Sequence, residues 1–241
     1  FQGSLSTLSA PELGGHAIKA AIKRANIVPN DIQDLIMGLC LFAGVKQAPA
    51  RQAAHLAGIP WEAGATTISK MCGSAMKATM LAHDNIIAGS HDIMVSGGME
   101  SMSKAPYILP KARDGYRLGN GDIVRDHMFI DGLEDAYEEG RLMGSFAEDT
   151  AEHYQFTREA QDSYAIESLR RAKHAVEEGG FDDEVTPVMI TDRKGEREVT
   201  IDEQPFNANL EKIPHLRPAF RKNGTVTPAN SSSISDGAAA L

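Results

Sequence analysis

The sequence predicts an α/β fold: a parallel sheet with helices packed on it, interrupted by an insertion. Three observations carry that expectation. Strand-length apolar runs alternate with helical patterns over the first hundred or so residues. Glycines close the helical stretches, as Gly58 and Gly89 do. After Ser101 the text becomes loop-like and locally basic, and small apolar residues return only near the end.

The elements follow in order. Ser9-Ala10-Pro11-Glu12 is a capping box with proline in the first turn, and Leu13, Ala17, Ala20, Ala21 and Ala25 continue it at helical spacing. Residues 34–42 (DLIMGLCLF) form a short apolar run that reads as a buried strand. Residues 49–57 read as a short helix and 65–68 as a strand. Residues 72–88 read as a helix rich in small side chains, with Ala75, Ala78 and Ala82. Residues 92–96 read as a second buried strand, ended by Gly97-Gly98.

Residues 102–130 carry Pro106, Pro110, Gly115, Gly119 and Gly121, together with Lys104, Lys111, Arg113, Arg117 and Arg125. Asp135, Glu138 and Glu139 read as an exposed helix face. Thr157 caps a long helix whose expected stripe is Ala160, Tyr164, Ala165, Leu169, Ala172 and Val176, stopped by Gly179-Gly180. Residues 184–190 and 197–201, turning at Lys194-Gly195, predict a hairpin. Residues 224–241 read as small, apolar and strand-like.

Composition removes several classes of function. Of 241 residues, 42% are hydrophobic and 24% charged, which is a globular balance and not that of a disordered chain. Two cysteines cannot staple a fold, and their scarcity favours a reducing, cytoplasmic setting. No apolar run approaches the ~18 residues of a membrane helix. Lys+Arg 24 against Asp+Glu 33 leaves a formal charge of −9, which argues against nucleic-acid binding. A polyanionic ligand would need local positive charge or helix N-termini. The chain opens on Phe1-Gln2-Gly3-Ser4 and stops inside the apolar run Ala238-Ala239-Ala240-Leu241, so the expectation is a fragment at both ends.

Cys72 is the candidate for chemistry. It lies in Ile68-Ser69-Lys70-Met71-Cys72-Gly73-Ser74-Ala75-Met76, on a sharp turn from strand to helix. A helix start presents N–H groups and partial positive charge that favour a thiolate. Gly73 leaves room for a substrate, and local amides can hold an oxyanion. An unpaired cysteine is also commonly a buried structural thiol, and composition leaves both readings open. Cys40, within the apolar run, is expected to be core.

Ser69-Lys70-Met71-Cys72-Gly73-Ser74-Ala75 followed by Gly97-Gly98-Met99-Glu100-Ser101-Met102-Ser103 resembles the thiolase family of acetyl-CoA acetyltransferases and 3-ketoacyl-CoA thiolases. Further matches run in family order along the whole chain: Pro49-Ala50-Arg51-Gln52-Ala53-Ala54, Asp131-Gly132-Leu133, Leu142-Met143-Gly144, Ala147-Glu148, Leu216-Arg217-Pro218-Ala219-Phe220, Gly224-Thr225-Val226-Thr227, Asn230 and Ser235-Asp236-Gly237-Ala238-Ala239-Ala240.

The resemblance implies a thiolase-like α/β fold whose complete form stacks five layers, α/β/α/β/α. Residues 1–101 and 235–241 would belong to its first mixed-sheet half-domain. Residues 102–234 would form an inserted α+β loop domain that covers the coenzyme A site, and the helix after the nucleophile would lie buried at the centre of the molecule.

It also implies ping-pong acyl transfer between CoA thioesters through an acyl-cysteine at Cys72. A non-catalytic acyl-CoA-binding or assembly protein is the alternative. Leu133, Met143, Phe220, Ala229, Ser232 and Ile234 are the implied substrate contacts, with Ser232 bonding the pantetheine arm and the apolar members walling it. Plain core packing is the competing reading for Leu133, Met143, Phe220 and Ile234. Leu142, Pro205 and Pro228 depart from residues found in some relatives, which leaves the nucleotide contacts and the acyl length open.

The activating histidine, second cysteine and Asn-Glu-Ala-Phe segment of the family have no counterpart in these residues, so the active site is expected to be incomplete here. Acyl-CoA and CoA are the expected partners, as substrates, with no metal, no covalently bound cofactor, no nucleic acid and no membrane. A homodimer or homotetramer is expected, and the basic residues 104–125 are either the tetramer contact or a solvated loop.

Overall fold

The computed structural model describes residues 1–119, 124–192 and 195–241. In chain order the elements are α1 (Ala10–Arg24), β1 (Asp34–Gly38), α2 (Pro49–Leu56), β2 (Thr66–Ile68), α3 (Ser74–Ile87) and β3 (Met94–Ser101). They continue with β4 (Tyr107–Ile108), β5 (Arg125–Asp126), α4 (Met143–His153), α5 (Arg158–Glu177), β6 (Val188–Asp192), β7 (Gly195–Val199), α6 (Gln204–Asn207) and β8 (Asp236–Ala240). The chain forms two compact units. One comprises Phe1–Gly132, Val188–Val199 and Ser235–Leu241; the other comprises Leu133–Pro187 and Thr200–Ile234.

The first unit is built on a mixed sheet of order β2-β1-β3-β8. β1 runs parallel to β2 and β3, and β8 returns antiparallel to β3. Alternation along the strands separates its faces. Leu35, Met37, Leu39, Val95 and Met99 join Ile18 and Ile22 of α1 and Ala50, Ala53 and Ala54 of α2 in one buried cluster. The intervening residues face α3: Ser96 Oγ donates to Thr79 Oγ1 at 3.2 Å, and a Cβ at Gly98 would lie 2.6 Å from Ala75 Cβ. Ser9 caps α1 as expected, its N–H donating to the Glu12 carboxylate at 2.7 Å.

Several expected boundaries move. β1 ends at Gly38, so residues 39–42 leave the sheet. Gly97 and Gly98 do not end a strand but lie inside β3, which runs to Ser101. Both are selected for close approach: a Cβ at Gly97 would strike the Ala239 backbone, and one at Gly98 would strike α3. The small side chains of α3 lie on one face. Ala78 and Ala82 are buried against the sheet, while Met76, Met80 and Ile87 are exposed. Of the strand-like stretch 224–241, Asp236–Ala240 is strand. The hairpin is β6 with β7, pairing Ile190 with Arg197. Its expected turn residue Lys194 lies outside the described residues, as does Gly121.

The second unit holds α4, a helix the sequence pattern does not signal, and α5. The α5 stripe is rotated from its expected position. Ala165 is buried, but Tyr164 is 81% exposed, because Asp162 takes the inner face. That carboxylate accepts from Arg158 Nε at 2.6 Å and from Asn230 Nδ2 at 3.1 Å. Asp135, Glu138 and Glu139 precede α4 in irregular chain and are not on a helix. The Asp135 carboxylate instead accepts the N–H groups of Tyr137 and Glu138, at 2.9 and 2.8 Å, in a local turn.

Candidate active site

Parallel register places Gly38 beside both Ile68 and Gly98, so β1, β2 and β3 share the edge at which their C-terminal ends lie. Such edges are where open α/β sheets present reactive groups. The chain leaving β2 turns through Ser69-Lys70-Met71-Cys72-Gly73 and enters α3. That turn needs space, and two glycines supply it. A Cβ at Gly38 would lie 2.5 Å from the Ser74 carbonyl carbon and 2.6 Å from the Ala75 nitrogen, and Gly98 gives room to Ala75.

Cys72 sits outside the helix, not at its first residue as the sequence pattern predicted. Gly73 is the N-cap, and its carbonyl accepts the Lys77 N–H at 2.9 Å. Cys72 is a free, exposed cysteine. A Cβ at Gly73 would meet only the Lys70 carbonyl, at an ordinary 3.5 Å. Packing therefore does not demand glycine there, and the space beside Cys72 stays open.

Met71, the preceding residue, has φ +49°, a left-handed conformation rare for a non-glycine side chain. Its carbonyl accepts the Ser74 hydroxyl at 2.5 Å, the Ser74 N–H at 3.1 Å and the Cys40 thiol at 2.8 Å. Ser74 Oγ in turn accepts the Lys70 N–H at 2.8 Å.

Cys40 is thus not a plain core cysteine. It is half-buried beneath the turn that carries Cys72. Burial above all pushes its thiol up; the hydrogen bond with Ser74 opposes the shift, and Glu100 and Cys72 add to it. Glu100, at the end of β3, accepts the N–H groups of Cys40 at 2.9 Å and Leu41 at 3.4 Å. Burial raises the Glu100 carboxyl above its ordinary range, opposed by those bonds and by His127. His127 is itself buried. The Ala43 N–H donates to its Nε2 at 3.2 Å, and Nδ1 lies 2.6 Å from Asp131 Oδ2.

Sequence reasoning missed Cys40 and Glu100 as parts of this site, because only the parallel register of β1 with β2 shows that Cys40 and Lys70 each follow the pair Gly38–Ile68 by two residues.

The implied substrate contacts all fall in the second unit: Leu133, Met143, Phe220, Ala229, Ser232 and Ile234. Cys72 belongs to the first. Leu133, Phe220, Ala229 and Ile234 are partly buried, and Met143 and Ser232 are exposed. Phe220 packs on the start of α4, where a Cβ at Gly144 would strike its ring, one residue from Met143. Thr225, Val226, Thr227 and Asn230 fix the segment that leads to Ala229 and Ser232. Glu148 accepts the Val226 N–H at 2.9 Å, and Asn230 Nδ2 donates to the Thr225 carbonyl at 3.0 Å. A cleft of about 420 Å³ in this unit, between Ala151, Gln155 and Phe156 and the loop at Asn223 and Thr225, touches none of the six.

Among the described residues no group of three or more His, Cys, Asp or Glu side chains could hold a metal ion, and no helix is long and apolar enough to cross a membrane.

Comparison with known proteins bears on this arrangement. The family described as thiolase, N-terminal domain, matches residues 1–241. An acetyl-CoA acetyltransferase from Cupriavidus necator is 48% identical over 244 residues, covering 100% of this chain and 61% of the relative. Acetyl-CoA acetyltransferase 2 of Arabidopsis thaliana is 48% identical over 244 residues, covering 100% and 60%. The crystal structure of an Ascaris suum thiolase in complex with coenzyme A superposes with a TM-score of 0.91 at 42% identity, over 100% of this chain and 61% of that one. This chain therefore spans about 61% of the length of such relatives. With a family match along its full length and an exposed cysteine on the turn between β2 and α3, the chain belongs to the thiolase family.

Proposed function

We propose that the whole protein is an acyl-CoA C-acyltransferase that makes or cleaves acetoacetyl-CoA or a longer 3-ketoacyl-CoA. The observation that carries this reading is the exposed Cys72, held on a strained turn at the mouth of α3. A binding or assembly protein has no use for a thiol presented in that way. The relatives named acetyl-CoA acetyltransferase support the same reading.

The reaction proceeds in two transfers. The Cys72 thiolate attacks the carbonyl carbon of an acyl-CoA thioester. A new C–S bond forms, the bond to CoA breaks, and CoA leaves as a thiol after taking a proton. A second acyl-CoA, deprotonated at its α-carbon, then attacks the acyl-cysteine. The C–C bond forms and the Cys72 thiolate departs. In the reverse direction Cys72 attacks the keto carbon, the C–C bond breaks and the departing α-carbanion of the released acyl-CoA takes a proton; the thiolate of free CoA then attacks the acyl-cysteine, and the Cys72 thiolate departs. Backbone N–H groups at a helix start suit the oxyanion formed at each stage. Leu133, Met143, Phe220, Ala229 and Ile234 wall the pantetheine arm, and Ser232 bonds it. The protein works as a homodimer or homotetramer, and in a tetramer the basic run from Lys104 to Arg125 is the contact between dimers.

Steady-state thiolysis of acetoacetyl-CoA by the full-length protein tests this. Parallel double-reciprocal lines and loss of turnover in Cys72→Ala support it. Turnover that survives in Cys72→Ala overturns it.

A further inference from the structure

We propose that Cys40 is a positioning residue for the nucleophile, its thiol pinning the Met71 carbonyl so that the turn bearing Cys72 keeps its left-handed form. The proposal deepens the acyl-cysteine reading above and rests on it.

The left-handed conformation at Met71 is costly and persists only where the surroundings over-determine it. Here the surroundings converge on one atom, the Met71 carbonyl oxygen. Two of its donors come from Ser74, within the turn itself. The Cys40 thiol, at 2.8 Å, belongs to a different segment, so it ties the turn to the sheet. That tie is itself anchored, because the Glu100 carboxylate on β3 accepts the Cys40 N–H at 2.9 Å and fixes the backbone that aims the thiol. The edge ends of β1 and β3 are thereby locked to the turn that follows β2.

The geometry of the peptide unit gives the tie a catalytic meaning. In a trans peptide the carbonyl and the following N–H point in opposite directions. Pulling the Met71 carbonyl toward Cys40 and Ser74 aims the Cys72 N–H to the opposite side of the peptide from those donors. An N–H so aimed beside the sulfur is the kind of preorganised donor that a developing oxyanion needs. A neutral thiol donor serves this purpose; a thiolate at position 40 would repel both the carbonyl oxygen and the neighbouring sulfur.

The test uses the full-length protein with Cys40→Ser, Cys40→Val and Cys40→Ala. It reads the rate of Cys72 alkylation by iodoacetamide, kcat and KM for acetyl-CoA, and the thermal midpoint. Serine keeps a donor, and it is expected to hold alkylation and kcat within about twofold of the parent, the spread of a conserved hydrogen bond. Valine fills the space without a donor. Valine and alanine are both expected to lower alkylation and kcat about three- to tenfold, the scale of one hydrogen bond, with KM little changed. If Cys40→Ala fails to fold, Cys40→Val carries the comparison alone. Parental alkylation and kcat in Cys40→Val overturn the proposal, and so does a loss in Cys40→Ser equal to that in Cys40→Val. If the parent alkylates normally but transfers no acyl group, the acyltransferase reading fails, and the alkylation ratios still decide the role of Cys40.

Discussion

Glu148 and Val226 are joined by a buried hydrogen bond: the carboxylate on α4 accepts the Val226 N–H at 2.9 Å. The same carboxylate accepts the Thr225 N–H at 2.9 Å and its hydroxyl at 3.3 Å. Gly224 lies close beside it: a Cβ there would meet the carboxylate. One side chain therefore satisfies the backbone donors of the segment that leads to Ala229 and Ser232.

Removing that acceptor leaves buried N–H groups without a partner, and each costs about 1–3 kcal/mol. Glu148→Ala is expected to lower unfolding stability by about 2–4 kcal/mol in urea titration. Glu148→Gln keeps one amide oxygen as an acceptor and is expected to lose less. Equal stability of parent and Glu148→Ala would contradict the role given to this carboxylate.

Glu100 gives a pH dependence with a definite sign. Burial, its largest influence, makes the folded chain hold the Glu100 proton more tightly than the unfolded chain, whose value is near 4.5. The folded state therefore binds more protons in the window above that value. The group's contribution to stability is full below the unfolded value and is lost as pH rises through the folded one. Glu100→Gln does not titrate. The stability of the parent relative to Glu100→Gln should fall as pH rises above the unfolded value of about 4.5 in parallel urea titrations. A gap that stays flat or widens would refute the assignment.

The approach of α3 to the sheet depends on Gly38. A Cβ there would meet backbone atoms of Ser74 and Ala75 at 2.5–2.6 Å, and backbone cannot swing aside as a flexible side chain can. Gly38→Ala is expected to destabilise by about 1–3 kcal/mol, the scale of overpacking, and to slow Cys72 alkylation because the turn above it moves. Thermal unfolding and alkylation kinetics check both effects, and a silent Gly38→Ala would count against the close approach.

The two cysteines should differ in reactivity. Cys72 is exposed, whereas Cys40 is half-buried, its thiol donating to Met71 and burial pushing it up. Limited iodoacetamide treatment at neutral pH, followed by peptide mapping, is expected to label Cys72 before Cys40 by about tenfold or more. Preferential labelling of Cys40 would mean that the turn has been misread.

Much of this architecture was legible in the sequence because local chemistry and global packing agree. Ser9 and Glu12 mark the start of α1, and Thr157 caps α5 by accepting the Ala160 N–H at 3.1 Å. The strand–turn–helix around Cys72 follows from an apolar run, a break and a stretch of small residues. What was hidden depends on pairing between distant segments. Gly97 and Gly98 look like a turn until β8 and α3 are brought against β3. Tyr164 looks like a core residue until Asp162, bonded to Asn230, claims the inner face of α5. Cys40 looks like a core residue until the parallel pairing of β1 with β2 brings it under Met71. α4 gives a weak signal because its buried positions are Glu148 and Ala151, one of them a carboxylate.

Acyl transfer by this protein requires that the sulfur of Cys72 carry the acyl group. Its most direct test is to mix the full-length protein with acetyl-CoA alone, quench in acid, and map the peptides by mass spectrometry. One acetyl group is expected on the peptide holding Met71-Cys72-Gly73 and none on the peptide holding Cys40, with release of one equivalent of CoA. No adduct, or an acetyl group on Cys40 with Cys72 unmodified, would contradict it.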